Sequence, residues 1–108
     1  MASESPDSLE AALRALRPEI CSMLAEDLPA DQKSAEQAFA SGQWASLQSY
    51  VHRINGSASF CHLADLKAVC SRIEAGLKQQ QPPDQGAMLD FAQEISRVVT
   101  ALGALENA

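Results

Sequence analysis

Tyr50-Val-His-Arg-Ile-Asn-Gly-Ser-Ala-Ser-Phe60 reads as the middle of one amphipathic helix. Trp44, Leu47, Val51, Ile54, Ala58 and Cys61 recur at helical spacing. At about 100° per residue they share a stripe roughly 100° wide. His52 lies outside it, projecting roughly 140° from the stripe's centre. Its neighbours on that face are Ala45, Gln48, Ser49, Asn55, Gly56 and Ser59, all small or uncharged. A solvated helix face ordinarily carries Lys, Glu and Arg. Gly56, one turn after His52, costs about 1 kcal/mol against Ala inside a helix. The low ground around one imidazole predicts that something large approaches it closely. The plainer alternative is a neutral surface His near a Gly that packs a neighbouring helix.

Working outward, every flanking segment is also helical. Gly42 fits the C-terminal end of a helix over 29–41 that buries Ala35, Ala38 and Phe39. Leu28-Pro29 predicts a kink or a restart. Upstream, Ile20, Met23, Leu24 and Leu28 follow Pro18, which suits a first helical turn. Leu9, Ala12, Leu13 and Leu16 mark a segment that Asp7 or Ser8 would cap. Whether 8–28 is one kinked helix or two stays open. Downstream, Leu63, Leu66, Cys70, Ile73 and Leu77 form a stripe widened by Val69, with Lys67, Ser71, Glu74 and Lys78 on a polar strip. Pro82-Pro83 ends that helix. Asp84 is placed to cap a last one built on Met88, Phe91, Ala92, Ile95, Val98, Val99, Leu102 and Leu105. There is no alternating strand pattern and no hairpin turn signal. The expected architecture is all-α: an antiparallel up-down four-helix bundle over 8–108 with an additional N-terminal helical segment, preceded by a disordered linker at 1–7.

The bulk numbers narrow the function. One domain fits 108 residues. A net charge of −6 speaks against nucleic-acid and anionic-membrane surfaces, which need clustered Lys and Arg. No apolar run reaches the ~20 residues of a membrane span. The start, Met-Ala-Ser-Glu-Ser-Pro-Asp7, lacks the basic and apolar regions of a secretion signal. Cys21, Cys61 and Cys70 form no CxxC, and the last two fall on apolar stripes, so they read as reduced core thiols of a cytoplasmic protein. A zinc site from Cys61, His62, Cys70 and His52 matches no standard finger, and His52 points away from the Cys61 stripe. No metal site is expected.

The helical hairpin carries a chemical consequence. With its turn near residue 62, equal rise along two antiparallel helices brings position 52 level with about 71–74. Glu74 or Ser71 then lies beside His52. A carboxylate accepting Nδ1–H fixes the tautomer and leaves Nε2 as a free, nucleophilic lone pair. The alternative for Glu74 is a solvated charge paired with Lys78 at i+4. Ser57 and Ser59 offer no triad, since no third orienting group or oxyanion hole accompanies them. There is no GxxxxGK[ST] phosphate loop, so the chain should not bind ATP. What remains for an exposed nucleophilic His on a flat face is to accept a group from a large partner that brings the catalysis. Phosphoryl transfer fits, because it needs mainly positioning and neutralising charge.

His52-Arg-Ile-Asn-Gly56-Ser-Ala58, followed by Leu63-x-x-Leu66-x-x-x-Cys70-x-x-Ile73-Glu74, resembles the histidine phosphotransfer (HPt) domains of bacterial phosphorelays, like those appended to hybrid sensor kinases. Their motif is roughly His-x-Leu-Lys-Gly-Ser-Ala, then a Gly, then a Leu-rich helix. Ser41-Gly42-Gln43-Trp44 also matches the lead-in, and the resemblance covers most of 18–80. It implies that His52 is the phosphoacceptor, with Glu74 contacting it and Gly56 leaving room for the partner. Asn55 and Ser71 would support the site; Ala45, Gln48, Ser49, Arg53 and Ser59 would line the docking face. The implied partners are receiver domains of a hybrid sensor kinase or a response regulator, which carry the phosphorylated Asp and the Mg²⁺. This domain would bind no cofactor and have no kinase activity of its own. It would be monomeric and cytoplasmic, alone or as the C-terminal part of a membrane-anchored kinase.

Two departures stand out. Asn55 replaces the family's usual Lys, so a phosphoryl group on His52 would be less supported by its own domain, or charge for it would come from Arg53 or the partner. His62 stands where the family often has a Gly that ends the helix; it is read as a structural residue that tolerates a left-handed backbone, less well than Gly, the alternative being a second imidazole near the turn. Asn55 also sustains a second hypothesis, an HPt-like module that binds a receiver or another protein without transfer.

Overall fold

The computed structural model describes residues 6–106, and side chains from Ser8 onward. Among the described residues there are five helices and no strand: α1 (Pro6–Arg14), α2 (Pro18–Ala40), α3 (Trp44–Phe60), α4 (Ala64–Lys78) and α5 (Gln85–Glu106). Helices α2 to α5 form an up-down bundle in which each packs on two neighbours, and α1 lies against α5. Of the expected linker, residues 1–5 lie outside the described residues, while Pro6 and Asp7 already belong to α1. Asp7 and Ser8 therefore lie within that helix rather than ahead of it.

The question left open over 8–28 resolves into two helices. Arg17 is extended (φ −68°, ψ 151°) and Pro18 opens α2, as expected for a residue before proline and for proline at the first helical position. Of the kink or restart expected at Leu28-Pro29, the helix does not restart: α2 runs through Pro29 to Ala40. A proline inside a helix forfeits one backbone hydrogen bond and costs about 3 kcal/mol. Burial of Leu24, Leu28, Ala35 and Ala38 along the same helix outweighs that, at about 1.5–3 kcal/mol for each large side chain.

The core is the set of stripes read from the sequence. Leu47, Val51, Ile54 and Ala58 of α3 meet Leu66, Val69, Cys70 and Ile73 of α4 and Phe91, Ile95, Val98 and Leu102 of α5. Leu9 and Leu13 extend it under α1. Two expected stripe members lie at the rim: Met23 is exposed, and Trp44 is exposed with its ring 6.1 Å from that of Phe39. Asp84 caps α5 by accepting the Ala87 N–H at 2.8 Å. Arg97 ties α5 to α4 through Asp65 at 3.2 Å.

Three helices end in the same way. After α2, Gln43 N–H donates to Ala38 O and Gly42 N–H to Phe39 O; after α3, Leu63 does so to Ala58 and His62 to Ser59; after α4, Gln81 to Gly76 and Gln80 to Leu77. This is the Schellman pattern, which requires one left-handed residue. Gly42 supplies it after α2 (φ 67°), but His62 and Gln80 supply it after α3 and α4, both at φ 59°. The α4 end also needs Gly76, since a Cβ there would sit 2.8 Å from Gln81 O.

A left-handed backbone is costly for a residue with a Cβ, though less so for His than for branched residues. His62→Gly should therefore raise stability by about 0.5–1 kcal/mol, read as a higher urea midpoint. A lower midpoint would mean that the imidazole makes a stabilising contact.

Candidate functional site

The left-handed turn at His62 sets the register of α3 against α4. Side chains pair across the seam symmetrically about residue 63: His52 with Glu74, Asn55 with Ser71, Ser59 with Lys67. That axis lies one residue beyond the expected turn centre, and within the expected 71–74 it is Glu74 that comes level with His52.

His52 Nδ1 lies 2.7 Å from Glu74 Oε1. The imidazole is 77% exposed while the Glu74 side chain is only 9% exposed. Glu74 is thus a buried acid at the foot of an exposed ring, not the solvated partner of Lys78. Asn55 Nδ2 donates to the other carboxylate oxygen, Oε2, at 2.6 Å and to Ser71 Oγ at 3.3 Å. An ionised carboxylate only accepts. It therefore places a proton on Nδ1 and leaves the Nε2 lone pair facing solvent. The same carboxylate dictates the Asn55 amide: its NH₂ end must face Glu74, and Oδ1 is left buried with no hydrogen-bond partner.

The other expected residues divide. Ala45, Gln48 and Ser49 share a shallow open depression with His52, Glu74 and Lys78. Gly56 has nothing within 4 Å of where a Cβ would stand. No neighbouring helix packs on it, so internal packing does not explain the glycine. Arg53 leaves this face for α2, where its guanidinium is 3.6 Å from Asp31. Asp31 titrates above the usual carboxylate range because burial outweighs Arg53 and Asp27 adds repulsion. Ser59 accepts from Lys67 Nζ at 2.9 Å, two turns from His52. Lys78 was read only as part of a polar strip and as an i+4 partner for Glu74. Its signal was available: it is one turn beyond Glu74 on the same face of α4.

The cysteines are all free thiols. Burial, with the Glu74 charge adding and Lys67 opposing, pushes Cys70 up to about 12. Burial likewise raises Cys61, with Cys21 adding to it. Both stay protonated and serve as core filling. Among the described residues no group of three or more His, Cys, Asp or Glu gathers to hold a metal.

Comparison with known proteins gives concordant matches. The model of the Hpt domain family matches residues 19–108. The sensor protein GacS of Pseudomonas syringae pv. syringae and the sensor histidine kinase GacS of Pseudomonas protegens are each 30% identical to this chain over 83 residues, 77% of its length. The matched stretch is 9% of each relative. A solved structure, the HPT domain from a hybrid histidine kinase of Shewanella, aligns with a TM-score of 0.77 over 94% of this chain and 91% of its own, at 22% identity. At that identity the likeness speaks for the fold.

The carboxylate–imidazole geometry makes its own prediction. At a pH where the ring is neutral, nitrogen NMR shifts of His52 should report the Nδ1–H form. In Glu74→Ala the proton should move largely to Nε2, and stability should fall by about 1–3 kcal/mol as the half-buried Asn55 amide loses its acceptor. An unchanged tautomer would show that the Glu74 contact does not orient the ring.

Proposed function

The chain belongs to the Hpt domain family, whose work is histidine phosphotransfer in two-component phosphorelays, and from that premise we propose that His52 accepts a phosphoryl group from a receiver-domain aspartate and passes it to the aspartate of another receiver. The observation that carries the reading is the pairing of a buried Glu74 carboxylate with an exposed imidazole. It supports a role in which the ring is oriented from below and attacked or relieved from above.

In the forward step the Nε2 lone pair forms the N–P bond as the P–O bond to the donor aspartate breaks, and that electron pair returns to the carboxylate. The ring, now carrying Nδ1–H and phosphoryl on Nε2, is an imidazolium. Glu74 stands against the new positive charge and holds Nδ1–H. Reversal toward a second receiver needs no proton to have left. Asn55 and Ser71 keep the Glu74 carboxylate in place. Gly56 and the small residues Ala45 and Ser49 let the receiver's active site reach Nε2. Such a domain supplies a positioned nucleophile and no kinase chemistry. The Mg²⁺ and most catalytic groups belong to the receiver. In-line transfer through a loose transition state depends on this division of positioning and charge.

The expected partners are receivers of a sensor kinase or a response regulator. The domain would work as a cytoplasmic monomer, either free or as a part of a longer sensor kinase. The GacS proteins are sensor kinases, and the chain matches a small part of their length. No helix among the described residues is long and apolar enough to cross a membrane.

Transfer from a phosphorylated receiver tests the reading. Wild type should gain acid-labile, base-stable phosphate and His52→Gln none, with its melting temperature nearly unchanged because the side chain is exposed. Binding of receivers without label would instead establish an interaction module. Separately, Gly56→Leu should keep full helicity and yet slow transfer at least tenfold by crowding the approach to Nε2. An unaltered rate would refute close approach over Gly56.

A further inference from the structure

A phosphoryl group on Nε2 would set anionic oxygens beside a carboxylate that is already buried under the ring. The chain itself carries −6. Nothing on the His52 face of α3 offsets this. Asn55 is neutral, and its amide hydrogens are committed to Glu74 and Ser71. Arg53 is turned to Asp31 on the α2 side. Lys67 is bonded to Ser59, two turns from His52, or about 10 Å along the helix. Arg72 borders an apolar hollow with Val69, Ile73 and Pro83, on another side of α4.

Lys78 differs from all of these. It borders the same depression as His52 and Glu74, and it has no hydrogen-bond or ion-pair partner among the described residues. By the register about residue 63 it is level with position 48 of α3, one turn from His52. The ground between them is Ala45, Gln48 and Ser49, side chains too short or too flexible to bar a lysine's reach. We propose that Lys78, supplied by α4, is the cation that contacts the phosphoryl group on His52. It takes from the neighbouring helix the charge that α3 lacks at Asn55.

The proposal rests on His52 as phosphoacceptor, but its test need not involve a receiver. Phosphoramidate phosphorylates exposed imidazoles in water: Nε2 forms the P–N bond, the bond to ammonia breaks, and ammonia leaves with a proton. The phosphorus NMR signal missing from His52→Gln identifies phospho-His52 apart from phospho-His62. The proton on Nδ1 of the phosphorylated ring, whose loss that signal reports, is then titrated. The charged groups that share its depression are Glu74 and Lys78; on the α2 flank Arg53 is paired with Asp31. In Lys78→Gln the midpoint should rise by roughly 0.5–1 unit, the size expected of one cation a few ångströms away in a solvated site. Lys78→Arg should restore it, and Lys67→Gln should leave it unmoved. A helix-end role for Lys78 would change stability without moving this midpoint. No rise in Lys78→Gln, or an equal rise in Lys67→Gln, would overturn the proposal. Failure of receiver transfer with the midpoint shift intact would instead count against the relay reading alone.

Discussion

The arrangement depends on a carboxylate that is nearly buried. Taking an ionised acid out of water is costly unless donors replace its hydration. Glu74 has two, one on each oxygen, from His52 and Asn55. Charge-assisted bonds of 2.6–2.7 Å are the strong class. The carboxylate therefore needs the imidazole as much as it orients it. That mutual dependence fixes the ring's tautomer and direction while leaving its other nitrogen in solvent. An exposed side chain is normally mobile; here the constraint comes from below, through a residue that belongs almost to the core.

Such a pair is only as accurate as the register of the helices that carry it. A slip of one residue would turn Glu74 by about 100° away from the seam. The register is set at the α3–α4 turn, where Leu63 N–H reaches Ala58 O at 2.8 Å and Leu63 itself is buried. The turn thus ends one helix and anchors the next in a single motif. His62 accepts a strained backbone to make it. Packing of Leu47, Val51 and Ile54 against Leu66, Cys70 and Ile73 then holds both helices at that offset along their length.

Much of this was legible from residue types. Period-3.6 stripes gave α3, α4 and α5 nearly to the residue, because Gly42, Pro82-Pro83 and Asp84 punctuate them chemically. The left-handed backbone at His62 was readable through the family resemblance, from the glycine that it replaces. What was not legible depends on tertiary balance. Proline propensity argued for a kink or a restart at Pro29, and burial of Leu24 and Leu28 on the same helix overrode the restart. Gln80 carries no composition signal for a left-handed backbone; the hydrogen bonds from Gln80 N–H to Leu77 O and Gln81 N–H to Gly76 O go with it. Arg53 sits next to His52 in sequence, and only the position of Asp31 on α2 shows that its charge is directed elsewhere. Lys78 was undervalued for the opposite reason: its proximity is created by the hairpin.

Asn55 shows how these constraints close on one another. Its amide completes the hydrogen bonding of Glu74 at the expense of a buried, unpartnered Oδ1, a penalty of about 1–3 kcal/mol. A lysine at the same point of α3 would bring a full charge within reach of Glu74 and compete with His52 for it. The ammonium would then be spent on the carboxylate before any phosphoryl group arrived, and the ring's Nδ1–H would share its acceptor. A neutral donor at position 55 avoids that competition and leaves Glu74 to the imidazole. The site's positive charge then has to stand farther from the carboxylate, on the rim of the depression rather than in the seam, which is where α4 puts Lys78.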